Sequence, residues 1–85
     1  MGFTIRYSGF IKDDAFISME CDSNDVRRKL VIYHKLSGES LVNIAKRMGV
    51  TRQVVYNWCT GRTKIPYEVV LNTYLDTLLE PYITI

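Results

Sequence analysis

Arg52, Gln53, Tyr56 and Asn57 place a guanidinium, a phenol and two carboxamides within six residues. A guanidinium can donate two parallel hydrogen bonds to guanine O6 and N7, and the carboxamide of Gln53 or Asn57 can pair with adenine N6 and N7. Tyr56 can pack on a thymine methyl or hydrogen-bond a phosphate. A good bidentate contact discriminates between bases by roughly 1–3 kcal/mol, so two or three of them define a half-site. The chemistry these side chains offer is recognition of base edges, provided they stand together on the outward face of a helix.

The flanking residues supply that helix and its mount. Residues 40–62, SLVNIAKRMGVTRQVVYNWCTGR, read as two short amphipathic helices joined by a turn at Met48-Gly49-Val50. Ser40 caps the first of them, whose apolar positions Leu41, Ile44, Ala45 and Met48 keep helical spacing. Ala45 is small where two steeply crossed helices must approach closely. Gly49 is free to take the left-handed conformation that redirects the chain. Thr51 caps the second helix and Gly61 ends it. Val55 and Trp58, three apart, face back onto the core, which turns Arg52, Gln53, Tyr56 and Asn57 outward.

The net charge of +2 conceals an uneven distribution. Residues 26–64 hold nine basic side chains against the single acid Glu39, so that segment is +8, while the remainder is −6. Such a split gives a nearly neutral molecule a positive face suited to a polyanion. At the start of the first of these two helices, the Ser40 backbone N–H and the helix dipole can hold a phosphate. The basic run Arg27-Arg28-Lys29 points to different sides of its helix, so at least one of the three serves solubility alone.

The rest of the chain frames this segment. FTIRYS at 3–8 alternates, placing Phe3, Ile5 and Tyr7 on one side of a strand, and AFISME at 15–20 does the same with Ala15, Ile17 and Met19. With Gly9 and the Lys12-Asp13-Asp14 cluster between them, residues 1–22 read as a β-hairpin with a loop, and Phe10-Ile11 can extend either strand or bury a loop. The N-cap formers Asp22-Ser23-Asn24-Asp25 open a helix that runs to Leu36 with Val26, Leu30 and Tyr33 on one face, stopped by Ser37-Gly38. Pro66 suits the first turn of a fourth helix. Val70, Leu71, Tyr74, Leu75, Leu78 and Leu79 line the buried side of that helix, Asn72, Thr73, Asp76 and Glu80 face solvent, and Pro81 stops it. Residues 82–85 alternate again as a terminal strand. The expected fold is mainly α: one domain over 1–85, with a four-helix core at 25–80 and short strands at both ends.

Several function classes lack a foundation. No glycine-rich phosphate loop is present, His34 has no nucleophile or carboxylate at useful spacing, and no catalytic residue or cofactor is expected. Asp13-Asp14 can hold a metal in principle, but adjacent acids in a turn are ordinarily solvated, so no metal is expected either. Cys21 and Cys59 form no disulfide framework or zinc spacing and read as reduced thiols of a cytoplasmic protein. No apolar run is long enough to cross a bilayer, and no signal-peptide pattern opens the chain. No small-molecule substrate is implied. The apolar share of 47% and charged share of 24% are those of a globular domain, and one this small often gains stability by associating.

IAKRMGVTRQVVYNWCTGRTKIP resembles the helix-turn-helix of the phage repressor and Cro family, also called XRE-like. Ile44-Ala45, Gly49-Val50-Thr51, Val55, Trp58, Gly61-Arg62 and Pro66 carry the resemblance, which covers roughly 25–80. Five helices are usual in that family; this chain matches four and departs at both ends. The resemblance implies base readout by Thr51, Arg52, Gln53, Tyr56 and Asn57. It also implies phosphate contacts by Ser40, Arg47, Thr60, Arg62 and Lys64, with Lys46 near Arg47. It implies a sequence-specific, Cro-like repressor of phage or mobile-element type, nucleoid-associated, that occludes an operator in double-stranded DNA. A homodimer would read a near-palindrome with recognition helices about 34 Å apart. The alternative is an antitoxin-type module that binds a toxin through its terminal strands as well as its own promoter. A purely architectural binder would leave the Arg52-Gln53-Asn57 face without a use.

Overall fold

The computed structural model describes residues 2–11 and 15–84; the Lys12-Asp13-Asp14 cluster and the last residue expected in the terminal strand, Ile85, lie outside the described residues. The chain forms β1 (Thr4–Ile11), β2 (Ala15–Asp22), α1 (Val26–Ser37), α2 (Leu41–Met48), α3 (Arg52–Thr60) and α4 (Glu68–Leu79). A single 3-10 turn (Glu80–Tyr82) then leads into β3 (Ile83–Thr84). The described fold is mainly α, with a small antiparallel sheet in the order β2-β1-β3.

Alternation makes the sheet one-sided. β1 and β2 pair without interruption from Thr4↔Asp22 to Ile11↔Ala15, so Phe10-Ile11 extends β1 rather than the loop. Tyr7 and Cys21 are buried on the inner face, with Ile5, Ile17 and Met19 half-buried beside them. Phe3 precedes the first residue of β1 and Ala15 opens β2, and both are exposed. Phe10 and Phe16 meet edge to face on the outer side, their centroids 5.2 Å apart. The terminal strand closes on its own chain through Arg6↔Thr84 and Tyr7↔Ile83. Gly9 lies so close under Tyr82 that an added Cβ would stand 3.2 Å from the ring, which explains the absence of a side chain there.

The helix boundaries follow their caps. Asp25 Oδ1 accepts the Arg28 N–H at 3.0 Å to start α1, and Gly38 ends it at a φ of 70°. α1 is the hub of the domain, packing on β1, β2, α3 and α4. Its buried stripe is Val26, Lys29, Leu30, Ile32, Tyr33 and Leu36, and one member of that stripe is a cation. Lys29 has no exposed surface. Its Nζ donates to the Ser23 carbonyl at 2.6 Å, to Asn72 Oδ1 at 2.7 Å and to Asp76 Oδ1 at 2.5 Å. An ammonium has three protons, and here each has an acceptor.

That cation corrects the reading of α4. Asn72, expected toward solvent, is half-buried against Lys29, whereas Asp76 is exposed as expected and still reaches the ammonium, because a buried charge must be paired and hydrogen-bonded. The buried stripe rotates accordingly: Leu75 and Leu79 are buried, Leu71, Tyr74 and Leu78 half-buried, and Val70 is exposed. α4 also begins later than expected, at Glu68, leaving Pro66 in the preceding loop. Tyr67 intervenes in the left-handed region at φ 52°, the sole non-glycine residue with positive φ among those described.

The Lys29 network generates an asymmetric prediction. Asp76→Ala strands a buried ammonium with two neutral acceptors and should cost about 3 kcal/mol, whereas Lys29→Met leaves only a half-exposed carboxylate and should cost clearly less. Urea denaturation of the two variants checks the order; equal losses would remove the charge pair from the account.

Candidate nucleic-acid interface

α2 and α3 are two short helices held by matching stops and starts. Ser40 Oγ accepts the Asn43 N–H at 3.2 Å, and Thr51 Oγ1 accepts the Val54 N–H at 3.3 Å. At the end of α2 the Gly49 N–H donates to the Lys46 carbonyl and the Val50 N–H to the Ala45 carbonyl. At the end of α3 the Gly61 N–H donates to Trp58 and the Arg62 N–H to Asn57. Both are Schellman stops, and both glycines are left-handed, at 70° and 79°. Ile44, Ala45, Val55 and Trp58 are buried, so the inner sides of the two helices are fixed against the core.

The outward side of α3 carries the expected set. Thr51, Arg52, Gln53 and Tyr56 are exposed and Asn57 is half-buried. Gln53 Nε2 donates to Asn57 Oδ1 at 3.0 Å, joining the two carboxamides one helical turn apart. Gln53 keeps its oxygen and its second N–H unused by this bond, the donor and acceptor that adenine requires. Thr51, by contrast, is occupied as the cap of the helix.

The residues assigned to phosphates fall into two groups. Ser40, Arg62 and Lys64 are exposed at the ends of α2 and α3. Arg47 is already paired, its Nε donating to Glu39 Oε1 at 2.5 Å. Thr60 donates its hydroxyl to the Tyr56 and Asn57 carbonyls of its own helix, so its proton is committed.

Glu39 escaped the sequence reading, although as the one acid in a +8 segment it was marked by its isolation. Tyr33 donates to Glu39 Oε2 at 2.5 Å while Arg47 holds Oε1, and the Glu39 backbone carbonyl lies 2.7 Å from His34 Nδ1. The Tyr33 hydrogen bond, reinforced by Arg47, lowers the Glu39 carboxyl below its ordinary value. Burial, with the neighbouring carboxylate, pushes the Tyr33 phenol up to about 12. Glu39 in turn holds the Arg47 guanidinium more firmly protonated.

Two further features were not legible from spacing. Arg27 lies against Gly61, setting a cation at the carbonyl end of α3, where the helix dipole favours it. Met48, Val50, Trp58, Val70, Leu71 and Tyr74 line a shallow, mainly apolar groove beside α4. Burial raises the pKa of both thiols, Cys21 and Cys59, which weakens them as nucleophiles. Among the described residues no group of His, Cys, Asp and Glu is arranged to hold a metal ion, and no helix is long and apolar enough to cross a membrane.

No protein-family model, curated protein or solved structure matches this chain.

The Tyr33–Glu39 bond makes stability depend on pH at both ends of the scale. A raised phenol contributes stability in full below its unfolded value of 10.0, and loses it as pH climbs through about 12. A lowered carboxyl contributes in full above its unfolded value of 4.5, and loses it as pH falls through the lower folded value. Tyr33→Phe should cost about 1–2 kcal/mol at neutral pH. In urea titrations the gap from the parent protein should narrow between pH 10 and 12 and again below pH 4.5. A gap constant with pH would show that the bond contributes no differential protonation.

Proposed function

We propose that this chain is a sequence-specific binder of double-stranded DNA, a transcriptional regulator of the phage repressor and Cro type that represses by occupying its operator. One observation carries the reading: α3 presents Arg52, Gln53, Tyr56 and Asn57 outward while Val55 and Trp58 anchor its other side in the core. A helix that cannot rotate offers one fixed face, and this face bears the donors and acceptors that guanine and adenine edges match. On this reading α2 and α3 form a helix-turn-helix, with α3 lying in the major groove.

The roles divide by availability. Arg52 pairs with a guanine and Gln53 with an adenine, Asn57 steadying Gln53 through the bond described above. Tyr56 is 41% exposed beside them and takes a thymine methyl or a phosphate. Ser40, Arg62 and Lys64 hold phosphates on either side. Arg47 and Thr60 contribute less, being engaged with Glu39 and with the end of α3. Two copies placing their α3 helices about 34 Å apart would read a near-palindromic operator.

Selection of bound fragments from random DNA, followed by affinity for the recovered site against scrambled sequence at one salt concentration, tests the proposal. Specific binding should exceed non-specific binding by about 10³ or more, and a ratio near one would overturn it. Gln53→Ala should leave the fold intact and relax preference at one position of each half-site; an unaltered recovered site would remove Gln53 from the readout. Lys64→Ala should weaken binding to every sequence and make the slope of log K against log salt shallower by about 0.9 for each phosphate that Lys64 neutralises. An unchanged slope would remove Lys64 from the phosphate set.

A further inference from the structure

β1 is flanked on one side by β2 and on the other by β3, whereas β2 has a neighbour on one side only. The backbone register fixes which groups stand along the free side of β2. The Ser23 N–H donates to the Phe3 carbonyl at 2.7 Å, continuing the β1–β2 register by one pair. Hydrogen-bonded pairs alternate in an antiparallel ladder, so Cys21, Met19, Ile17 and Ala15 bond to β1. The N–H and C=O groups of Phe16, Ser18 and Glu20 therefore point away from it. Asp22 closes this row, because its carbonyl accepts the Asp25 N–H at 3.0 Å. Edge strands are normally blunted by lysine, proline or a bulge. β2 has none of these.

The two faces of this edge differ in chemistry. On the core side Ile17 and Met19 are half-buried, while Tyr7, opposite Met19 in β1, is buried. On the outer side stand Phe16, which is 58% exposed, and then Ser18, Glu20 and Asp22. The charges of β2 are thus two carboxylates, with no base. Arg6 holds Glu20 through Oε1 from the β1 side, and the Asn24 N–H donates to Asp22 Oδ1. Glu20 Oε2 and Asp22 Oδ2 lie outside those bonds.

We propose that this edge docks an extended, basic segment of a different protein, which pairs antiparallel with β2, as the strands of this sheet already do. Main-chain hydrogen bonds to Phe16, Ser18 and Glu20 supply the affinity, and alternate side chains supply the selection. Apolar residues of the incoming segment extend the core-side row beside Ile17 and Met19. Lysine or arginine on its outer side meets Glu20 and Asp22, and another covers the exposed ring of Phe16. The same carboxylates disfavour a second copy of this chain, since two β2 strands would bring four acids and no base to one seam. The segment needs about five residues in register, a span of about 17 Å.

The edge lies apart from the face that carries Arg52 and Gln53: the sheet packs on α1, and α3 packs on α1 and α2. Docking does not depend on what α3 binds, so it is tested on the full chain without DNA.

The probe is a capped peptide of about eight residues alternating valine with lysine, titrated into the isotope-labelled chain. Amide signals of Phe16, Ser18 and Glu20 should shift and gain protection from hydrogen exchange. No shift at millimolar peptide would overturn the proposal. Glutamate in place of lysine, or the same residues without alternation, should weaken binding by about tenfold or more. Equal binding of either control would overturn it. Methylating the backbone nitrogens of the peptide's lysines keeps every side chain but removes the donors that face β2, and should abolish binding. Undiminished binding would show attraction by charge alone, against the proposal. Ser18→Pro removes an N–H that points outward rather than one that holds β1, so the circular dichroism spectrum should persist while binding is lost. Binding retained by folded S18P would overturn the proposal. Self-association of the wild-type chain that S18P abolishes would make a second copy the occupant, and would overturn it equally.

Discussion

A buried ammonium constrains everything around it, because it must find an acceptor for each proton or lose its charge. Lys29 takes its acceptors from two places that are remote in the chain: the turn before α1 and one face of α4. Ser23 lies where β2 hands over to α1, and Asn72 and Asp76 lie one turn apart on α4. A single side chain thus sets the rotation of α4 about its axis and ties the exit of the sheet to the helical core. Apolar packing around Leu30, Ile32, Leu75 and Leu79 supplies cohesion but tolerates sliding, whereas three hydrogen bonds to one nitrogen do not. α1 carries this node, and α1 is also the element against which α3 is set.

The α2–α3 segment solves a different problem, that of holding a short helix rigid while leaving one side bare. α3 has nine residues, too few for stability by propensity alone. Its rigidity comes from the Thr51 cap, the Schellman stop at Gly61, the Arg27 cation beyond that stop, and Val55 and Trp58 in the core. Glu39 does related work at the entrance to α2, where its carboxylate joins Tyr33 of α1 to Arg47 of α2. The internal pair also trims the positive surface, leaving Arg27, Arg52, Arg62 and Lys64 as exposed cations at or near α3.

Legibility in the sequence followed the range of the interaction. Caps and stops act within three or four residues, so Asp25, Ser40, Thr51, Gly38, Gly49 and Gly61 announced the helix boundaries from their neighbours alone. Alternation gave the hairpin and the terminal strand, though it could not tell that Phe3 and Ala15, at the strand ends, stay exposed. The outward set on α3 was legible because Val55 and Trp58 define the opposite side. The interactions of Lys29 with Asn72 and Asp76 were not, since nothing local distinguishes a lysine that dives into the core from one in a basic run. The same holds for Arg47, whose partner Glu39 sits eight residues away, just before the cap of the same helix. Pro66 misled because its fixed φ suits a helix start equally well as the loop it occupies, and only the left-handed Tyr67 after it separates the two.

The pairing of β3 with β1 has a consequence for how the molecule assembles. Tyr7 and Ile83 come from opposite ends of the chain, so the centre of the sheet acquires its last neighbour by the longest loop closure the molecule makes. The hairpin and each helix can form from local contacts, whereas β3 must be brought back across the length of four helices to reach β1. One sheet thus joins the cheapest kind of closure in the molecule to the costliest. Docked helices shorten that second closure, so the pairing of β3 draws its stability from the packing of the helices between.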